Sequence, residues 1–235
     1  MISEKRFCSH YSNFWRETLP NLEAVVRGVN LGYERVWNPL GTVTDPKRRD
    51  LISESGYRLF FYMTDVAALG DLSQLTRKAA KEAFDYLTSR SVDLWNEVDA
   101  ITEYEEREIV TLAARLKSYF GLHTASDIPP IRPAYSGHGI MAGCHGDFER
   151  AGTLIEMKYV TRGFRGNELR QLLTYASLKY YMTGTEYSKI GLLNPLLGTQ
   201  FITTANEIVA GASGMSSVEF FTRMSYALSS GEISH

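Results

Sequence analysis

The sequence predicts an α/β fold with a helical N-terminal extension, and three features along the chain indicate it. Apolar residues recur with the period of a helix in the first half, most clearly over residues 72–88. Prolines then interrupt residues 124–133. From residue 134 onward, segments rich in strand-forming residues alternate with helical ones. We therefore expect a helical N-terminal region over residues 1–100 and an α/β core over residues 101–235, with no flexible linker between them.

The helices of the first half are predicted from apolar spacing and from their first residues. They cover residues 21–29, 72–88 and about 102–120. Asp71 is placed as the N-cap of the second helix. Thr102 is followed three residues later by Glu105. That is the capping-box pattern, in which each side chain binds the other residue's backbone N–H, so a helix should begin here.

The second half is predicted to alternate strands and helices. Residues 134–160 are expected to form strands, with a turn at Ala151-Gly152 between two of them. The elements after this hairpin are a helix over 166–182, strands over 188–195 and 198–205, and a final helix over 216–228. Strands connected through a helix are typical of a sheet covered by helices.

Composition describes an ordinary globular chain. Its 235 residues are 44% hydrophobic and 22% charged, with a formal net charge of −2. This charge argues against a constitutively basic nucleic-acid coat protein, but not against an enzyme whose cleft carries its own local charge. The two cysteines cannot form a disulfide framework, and the apolar runs are too short to span a bilayer. We expect a cytoplasmic protein without membrane association.

The most informative stretch joins Asp147 to the sequence Glu156-Met157-Lys158. Side chains alternate between the two faces of a strand, so Glu156 and Lys158 should point into a cleft while Ile155 and Met157 face the core. The predicted turn folds Asp147 back beside the same strand. Two carboxylates and one ammonium should therefore converge.

This trio suits phosphodiester hydrolysis. Asp147 and Glu156 offer hard oxygen ligands, which favour Mg²⁺ or Mn²⁺ over zinc. Such a metal polarises a phosphate and activates water near neutral pH. Lys158 can position that water or stabilise the charge that develops on the phosphate. For an isolated Glu-x-Lys pattern, a surface ion pair is the ordinary interpretation, but apolar residues flank this one on both sides.

The same region resembles the PD-(D/E)XK nucleases. The resemblance covers about residues 134–200 and rests on four short motifs in order. They are a Gly-Asp strand (GHGIMAGCHGDFER), a Glu-x-Lys strand (TLIEMKYV), a Gln-Leu-Leu-x-Tyr helix (RQLLTYASLKYY) and a strand that contains Asn-Pro (IGLLNPLLG). The resemblance implies a restriction-endonuclease-like core, which is a mixed central sheet flanked by helices.

The resemblance also implies roles for particular residues. Asp147, Glu156 and Lys158 are implied as catalytic, and Gln171 as an auxiliary residue that positions water or Lys158. For Gln171 a purely structural amide is the alternative. The chain departs from the pattern at Gly146, where the family name has proline, and at Leu196, where relatives often carry a basic residue. The second departure argues against a phosphate contact from that strand.

The resemblance also implies a third carboxylate, on a helix before the first strand. Glu105 falls within the apolar stripe of the helix over 102–120, and a buried carboxylate is costly unless it is paired or bound to metal. Glu105 is therefore a candidate metal ligand beside Asp147 and Glu156, with Glu108 in reserve. The alternative is that Glu105 only completes the capping box.

These features together predict a Mg²⁺-dependent nuclease that acts on DNA in preference to RNA, in a setting of restriction or phage defence. Arg162, Arg165 and Arg170 are candidates for contacts with backbone phosphates. Partner proteins or a homodimer are compatible with such a setting. An RNase-type toxin of the same fold, and a non-catalytic nucleic-acid-binding or assembly module, are the alternatives.

Two other motifs are set aside. Residues 137–142 match a dinucleotide-binding fingerprint, but prolines precede them and strands follow, so no helix begins there. His138, Cys144 and His145 do not have the spacing of a zinc site, although either histidine is placed where it can contact phosphate.

Overall fold

The computed structural model describes residues 1–42, 44–65, 71–89, 101–123 and 127–231. Its helices are α1 (Glu4–His10), α2 (Ser12–Thr18), α3 (Leu22–Gly32), α4 (Arg49–Thr64), α5 (Leu72–Thr88), α6 (Glu103–Tyr119), α7 (Gly166–Thr183), α8 (Ala205–Ser213) and α9 (Ser217–Ser230). Its strands are β1 (Glu34–Arg35), β2 (Ala134–Tyr135), β3 (Cys144–His145), β4 (Phe148–Arg150), β5 (Thr153–Met157), β6 (Lys189–Asn194) and β7 (Thr199–Thr203).

The central sheet has five strands in the order β1-β7-β6-β5-β4. Strands β5 and β6 of this sheet run parallel, and α7 connects them, because a parallel pair needs a crossover rather than a tight turn. The other pairs of this sheet are antiparallel. Strands β2 and β3 form a separate antiparallel pair. The predicted α/β class and its mixed central sheet are therefore confirmed.

Two apolar layers cover the sheet on opposite faces. Alternation along β5 sends Leu154 into one layer and Ile155 into the other. The first layer contains the buried residues of α1–α3 and α7–α9, among them Trp15. The second contains those of α4–α6, packed against Phe148 and Leu193. Helices thus pack on both faces of the sheet.

The helices that sequence periodicity predicted are confirmed within a few residues. Helix α5 has the predicted bounds, and the Asp71 side chain accepts a hydrogen bond from the Gln74 backbone N–H at 2.8 Å. Helix α6 begins at the predicted capping box of Thr102 and Glu105. The strands over residues 134–160 are shorter than expected, because glycines at 137, 139, 143 and 146 interrupt pairing there.

Four of the described helices were not predicted from the sequence, namely α1, α2, α4 and α8. Helix α4 follows a short 3₁₀ turn, Pro46–Arg48, in which the Asp45 side chain accepts a hydrogen bond from the Lys47 backbone N–H. Asp followed by Pro is a helix-start signal that could have revealed it. Helix α8 begins at a second capping box, Thr204 with Glu207, and the predicted strand over 198–205 hid that pattern.

The N-terminal region contributes to both layers of the fold, with α1–α3 in the first and α4 and α5 in the second. Helix α3 packs on α8, α1 packs on α7, and β1 pairs with β7 at the edge of the sheet. The predicted boundary at residue 100 lies outside the described residues. None of the described helices is both long enough and apolar enough to cross a bilayer.

Candidate functional site

A tight hairpin brings the two predicted carboxylates together. Strands β4 and β5 pair with Phe148 opposite Ile155, so Asp147 and Glu156 are opposite one step further along the ladder. The turn between the strands is Ala151-Gly152, with φ of +48° and +73°. Two central residues with positive φ are typical of a two-residue hairpin turn whose twist matches that of the strands. The predicted convergence of Asp147 and Glu156 is confirmed.

Asp147 is fixed on both sides. Its Oδ2 atom accepts a hydrogen bond from the Met157 backbone N–H at 2.8 Å, which ties it to β5. Its backbone carbonyl accepts one from the Tyr57 hydroxyl at 2.9 Å, which ties it to α4. The carboxylate therefore has a defined position before any ligand binds.

Glu156 is buried, with 4% of its surface exposed, and it is incompletely satisfied. Its Oε1 atom accepts a hydrogen bond from Lys158 Nζ at 2.9 Å. Among the described residues, no group donates a hydrogen bond to its buried Oε2 atom. Burial, and then the adjacent charge of Asp147, raise the pKa of Glu156 above its ordinary value, and Lys158 only partly opposes them. A buried carboxylate oxygen without a donor is costly in the absence of a cation.

Lys158 is held between two acceptors. Its ammonium lies 2.9 Å from Glu156 Oε1 and 2.7 Å from Gln171 Oε1. Gln171 is itself oriented by a bond from its Nε2 to the Tyr175 hydroxyl at 2.8 Å. Burial acts to lower the pKa of Lys158, but Glu156 and Asp147 outweigh it and raise that pKa, so the side chain remains an ammonium. Of the roles that the sequence left open for Gln171, the structure shows a contact with Lys158.

These four residues line one cavity of about 850 Å³, within the usual range for ligand sites. One wall comes from the first turn of α1 and another from α4 and the end of α5. Residues around β3, including His145, complete the lining. The site therefore lies where the ends of several elements meet, between the two helical layers.

The charges of the cavity favour a divalent cation. Among the described residues of its lining there are five carboxylates, those of Glu4, Asp50, Glu54, Asp147 and Glu156, and three cations, Lys5, Arg132 and Lys158. The formal charge of these described residues is therefore −2, which one divalent cation would bring to zero. The described residues contain no cluster of three or more His, Cys, Asp or Glu side chains that could hold a metal. Asp147 and Glu156 are a pair, and Mg²⁺ is commonly held by one or two carboxylates, with waters and phosphate oxygens completing its shell.

Glu105 does not line this cavity, contrary to its assignment as a third metal ligand. Its carboxylate accepts hydrogen bonds from Arg48 Nε and Nη2 and from the Thr102 backbone N–H, at 2.5, 3.1 and 2.8 Å. Both oxygens are therefore engaged in a capping box and an ion pair, which is the alternative that the sequence left open. Glu108, the reserve, accepts hydrogen bonds from Thr42, Thr44 and Tyr159 and is equally engaged.

The three predicted phosphate-binding arginines also lie outside the cavity lining. Arg162 pairs with Glu168 at 2.7 Å. Arg165 precedes α7, and its backbone N–H binds Glu168. Arg170 donates to the Cys8 carbonyl at 3.1 Å and packs over Trp15. Proximity in sequence to Lys158 did not bring these side chains to the site.

The two histidines have separate places. His145 is exposed and lines the cavity. His138 contacts α9 instead, with its Nε2 atom 2.8 Å from Ser225 Oγ. Leu196, the position at which relatives often carry a basic residue, is buried in the second apolar layer.

Sequence reasoning missed the residues that face the carboxylate pair from outside the hairpin. They are Asp50, Glu54 and Tyr57 of α4, Arg132 of the loop before β2, and the first turn of α1. No spacing within the sequence connects them to Asp147. The helix-start signal before α4 was the one available indication.

The chain matches no model of a known protein family, and no curated protein matches it.

Proposed function

We propose that this protein is a metal-dependent nuclease that hydrolyses the phosphodiester bonds of nucleic acid, with DNA the preferred substrate. The observation that carries the proposal is the buried Glu156 carboxylate, whose Oε2 atom has no donor among the described residues while Asp147 lies beside it. The finer assignment of the core as restriction-endonuclease-like belongs to the same proposal. It rests on the order of the four motifs.

In this proposal Asp147 and Glu156 hold Mg²⁺ or Mn²⁺. The metal, when bound, supplies a Lewis acid at the phosphodiester. The donor set fits such a cation, because both ligands are hard oxygens and one of them is a buried atom that lacks a hydrogen-bond donor. Asp147 needs no rearrangement to serve, since Met157 and Tyr57 already fix it.

Lys158 acts as a fixed positive charge beside the carboxylates. Negative charge accumulates on the phosphate as the bond breaks, and an ammonium that is already oriented stabilises it without reorganisation. Gln171 is a positioning residue, because it acts through Lys158 and limits the directions in which the ammonium can point. The buried surroundings strengthen these interactions relative to water.

Cleavage assays test the proposal. Supercoiled plasmid, linear duplex, single-stranded DNA and RNA are incubated with the protein in Mg²⁺, Mn²⁺ or EDTA. We expect metal-dependent cutting that Asp147→Asn and Lys158→Ala each abolish. Asp85→Asn and Lys81→Ala, exposed positions on α5 that do not line the cavity, are the matched controls and should cut like wild type.

The outcomes separate the alternatives. Preference for RNA over every DNA substrate would favour the RNase-type toxin. Binding of nucleic acid without cleavage in either metal would favour the non-catalytic module. Cleavage that survives both Asp147→Asn and Lys158→Ala would contradict the assigned site.

A further inference from the structure

Two cationic side chains line the cavity from opposite walls. Lys5 lies in the first turn of α1, which packs against α7 in the first apolar layer. Arg132 lies in the loop before β2, and its guanidinium is 5.6 Å from the ring centroid of Tyr57 on α4, in the second layer. Since the two layers cover opposite faces of the sheet, the two charges approach the carboxylate pair from different sides.

Both side chains are available to a ligand. Lys5 and Arg132 are exposed, and within the described ranges neither forms an ion pair with a carboxylate. Lys158, by contrast, is half-buried and already bound to Glu156 and Gln171. The stacking of Arg132 on Tyr57 restricts the directions in which its guanidinium can point while its N–H groups remain free to donate.

The charge of the cavity gives these two cations a role. With one divalent cation bound, the described residues of the lining have a formal charge of zero, and Lys5 and Arg132 are part of that balance, so the site has no net negative charge that would repel a polyanion. A polynucleotide brings further phosphates on each side of the one that is cut, and their charges need partners away from the metal. Among the described residues of the lining, Lys5 and Arg132 are cations outside the ion pair of Lys158 with Glu156, and their exposed side chains can reach such phosphates.

We propose that Arg132 and Lys5 bind the phosphates that flank the scissile phosphodiester, one on each side. The cavity would then accept a nucleic-acid strand whose backbone continues in both directions, and cleavage would be internal. This inference rests on the proposed nuclease function, and it concerns which substrate that site accepts.

Binding measurements test the inference without relying on cleavage. A short fluorescein-labelled oligonucleotide, as single strand and as duplex, is titrated with protein in Ca²⁺ while gel analysis checks that it stays intact. Arg132→Gln should weaken binding by about 10-fold and reduce the slope of log K against log salt by roughly 0.7 to 0.9. Lys5→Gln should act in the same direction, and the two effects should multiply because the residues lie in separate walls.

Arg165→Gln is the matched control, since Arg165 is exposed but does not line the cavity. It should change binding by less than about 2-fold, as surface substitutions away from a site usually do. If Arg132→Gln and Lys5→Gln also bind like wild type, the inference is overturned, whatever the protein cleaves.

A minimal substrate separates flanking contacts from contacts at the cut. Bis(p-nitrophenyl) phosphate carries one diester and no neighbouring phosphate. We expect Arg132→Gln to raise KM for an oligonucleotide by about 10-fold and to change hydrolysis of the minimal substrate far less. Equal losses on both substrates would overturn the flanking role. If wild type hydrolyses neither substrate, the nuclease proposal fails, and oligonucleotide binding still decides whether Lys5 and Arg132 contact phosphate.

Discussion

The Lys158 ammonium lies 2.7 Å from Gln171 Oε1, and this contact joins the end of β5 to α7, the next helix of the chain. Gln171 is 8% exposed, and its Nε2 atom is bound to Tyr175. Both ends of the amide are therefore occupied, so its orientation is fixed by its partners. The direction of the ammonium is in turn fixed by the amide and by Glu156.

Gln171→Leu should lower kcat by about 10- to 100-fold, as the loss of an orienting partner beside a metal site commonly does. Stability should fall by about 1–3 kcal/mol, because Lys158 and Tyr175 each lose a buried partner. Tyr175→Phe removes only the partner that orients Gln171 and leaves the Gln171 acceptor for Lys158 in place, so it should lower kcat by less. Cleavage rates and urea unfolding check both. A wild-type kcat for Gln171→Leu would contradict the positioning role of Gln171.

Mg²⁺ should stabilise the protein through Asp147 and Glu156. A ligand at 100 times its Kd that binds only the folded state adds about 2.7 kcal/mol, so Tm should rise on adding Mg²⁺ to protein treated with EDTA. Asp147→Asn should remove that rise. Asp50→Asn, which changes a carboxylate on the opposite wall, should retain it. A rise of equal size in Asp147→Asn would place the cation elsewhere.

Glu105 should contribute stability that depends on pH but not on metal. Burial acts to raise its pKa, but the hydrogen bonds from Arg48 and Thr102 outweigh burial and hold that pKa below its ordinary value. A carboxyl with a lowered folded-state pKa stabilises above its unfolded pKa of about 4.3, and this contribution is lost as pH falls through the folded value. Glu105→Gln should therefore cost about 1–3 kcal/mol at pH 7 and little at acid pH.

Urea unfolding of wild type and Glu105→Gln across this pH range measures the difference. The Mg²⁺-dependent rise in Tm should be the same in both proteins. If Glu105→Gln abolished that rise while remaining folded, Glu105 would have to be restored as a metal ligand.

A substitution at Ala151 should be able to raise the stability of the protein. Most residues with a Cβ rarely adopt its φ of +48°. Asparagine is an exception that tolerates this φ, and it suits the first position of this turn. Ala151→Asn should raise stability by about 0.4–1 kcal/mol and leave cleavage unchanged. Gly152→Ala is the opposite test. Its φ is +73°, and an added Cβ would lie 3.0 Å from Ser188 Oγ, so stability should fall. Thermal unfolding distinguishes the two, and destabilisation by Ala151→Asn would contradict this account of the turn.

The sequence predicted the features that depend on interactions between residues close together in the chain. Helix α5 follows from its apolar period and from Asp71, and the hairpin follows from strand-forming residues on either side of Ala151-Gly152. The convergence of Asp147 with Glu156 and Lys158 required no information beyond this hairpin. The contact of Lys158 with Gln171 follows from the next element of the chain, so it too was accessible.

Partners distant in sequence were not accessible in this way. The burial of Glu105 was predicted, but the choice between a metal and an ion pair depended on Arg48, which another element supplies. The arginines closest to Lys158 in sequence do not line the cavity. Arg132 does line it, because the tertiary structure brings its loop there, and residue spacing in the sequence does not reveal this. The partner of Asn194 was likewise not predictable from local sequence. Its buried Nδ2 donates a hydrogen bond to the Val160 carbonyl at 2.8 Å.

The two-residue connection between β4 and β5 also limits how this chain can change in length. One residue inserted within β4 or β5 would shift the ladder by one step, so that either Asp147 or Glu156 would turn to the opposite face of the sheet. Substitutions within the hairpin leave that relationship intact, whereas such insertions and the matching deletions do not. A lineage or a redesign that keeps this site is therefore free to vary most side chains of the hairpin, but it must keep the number of residues between each carboxylate and the turn.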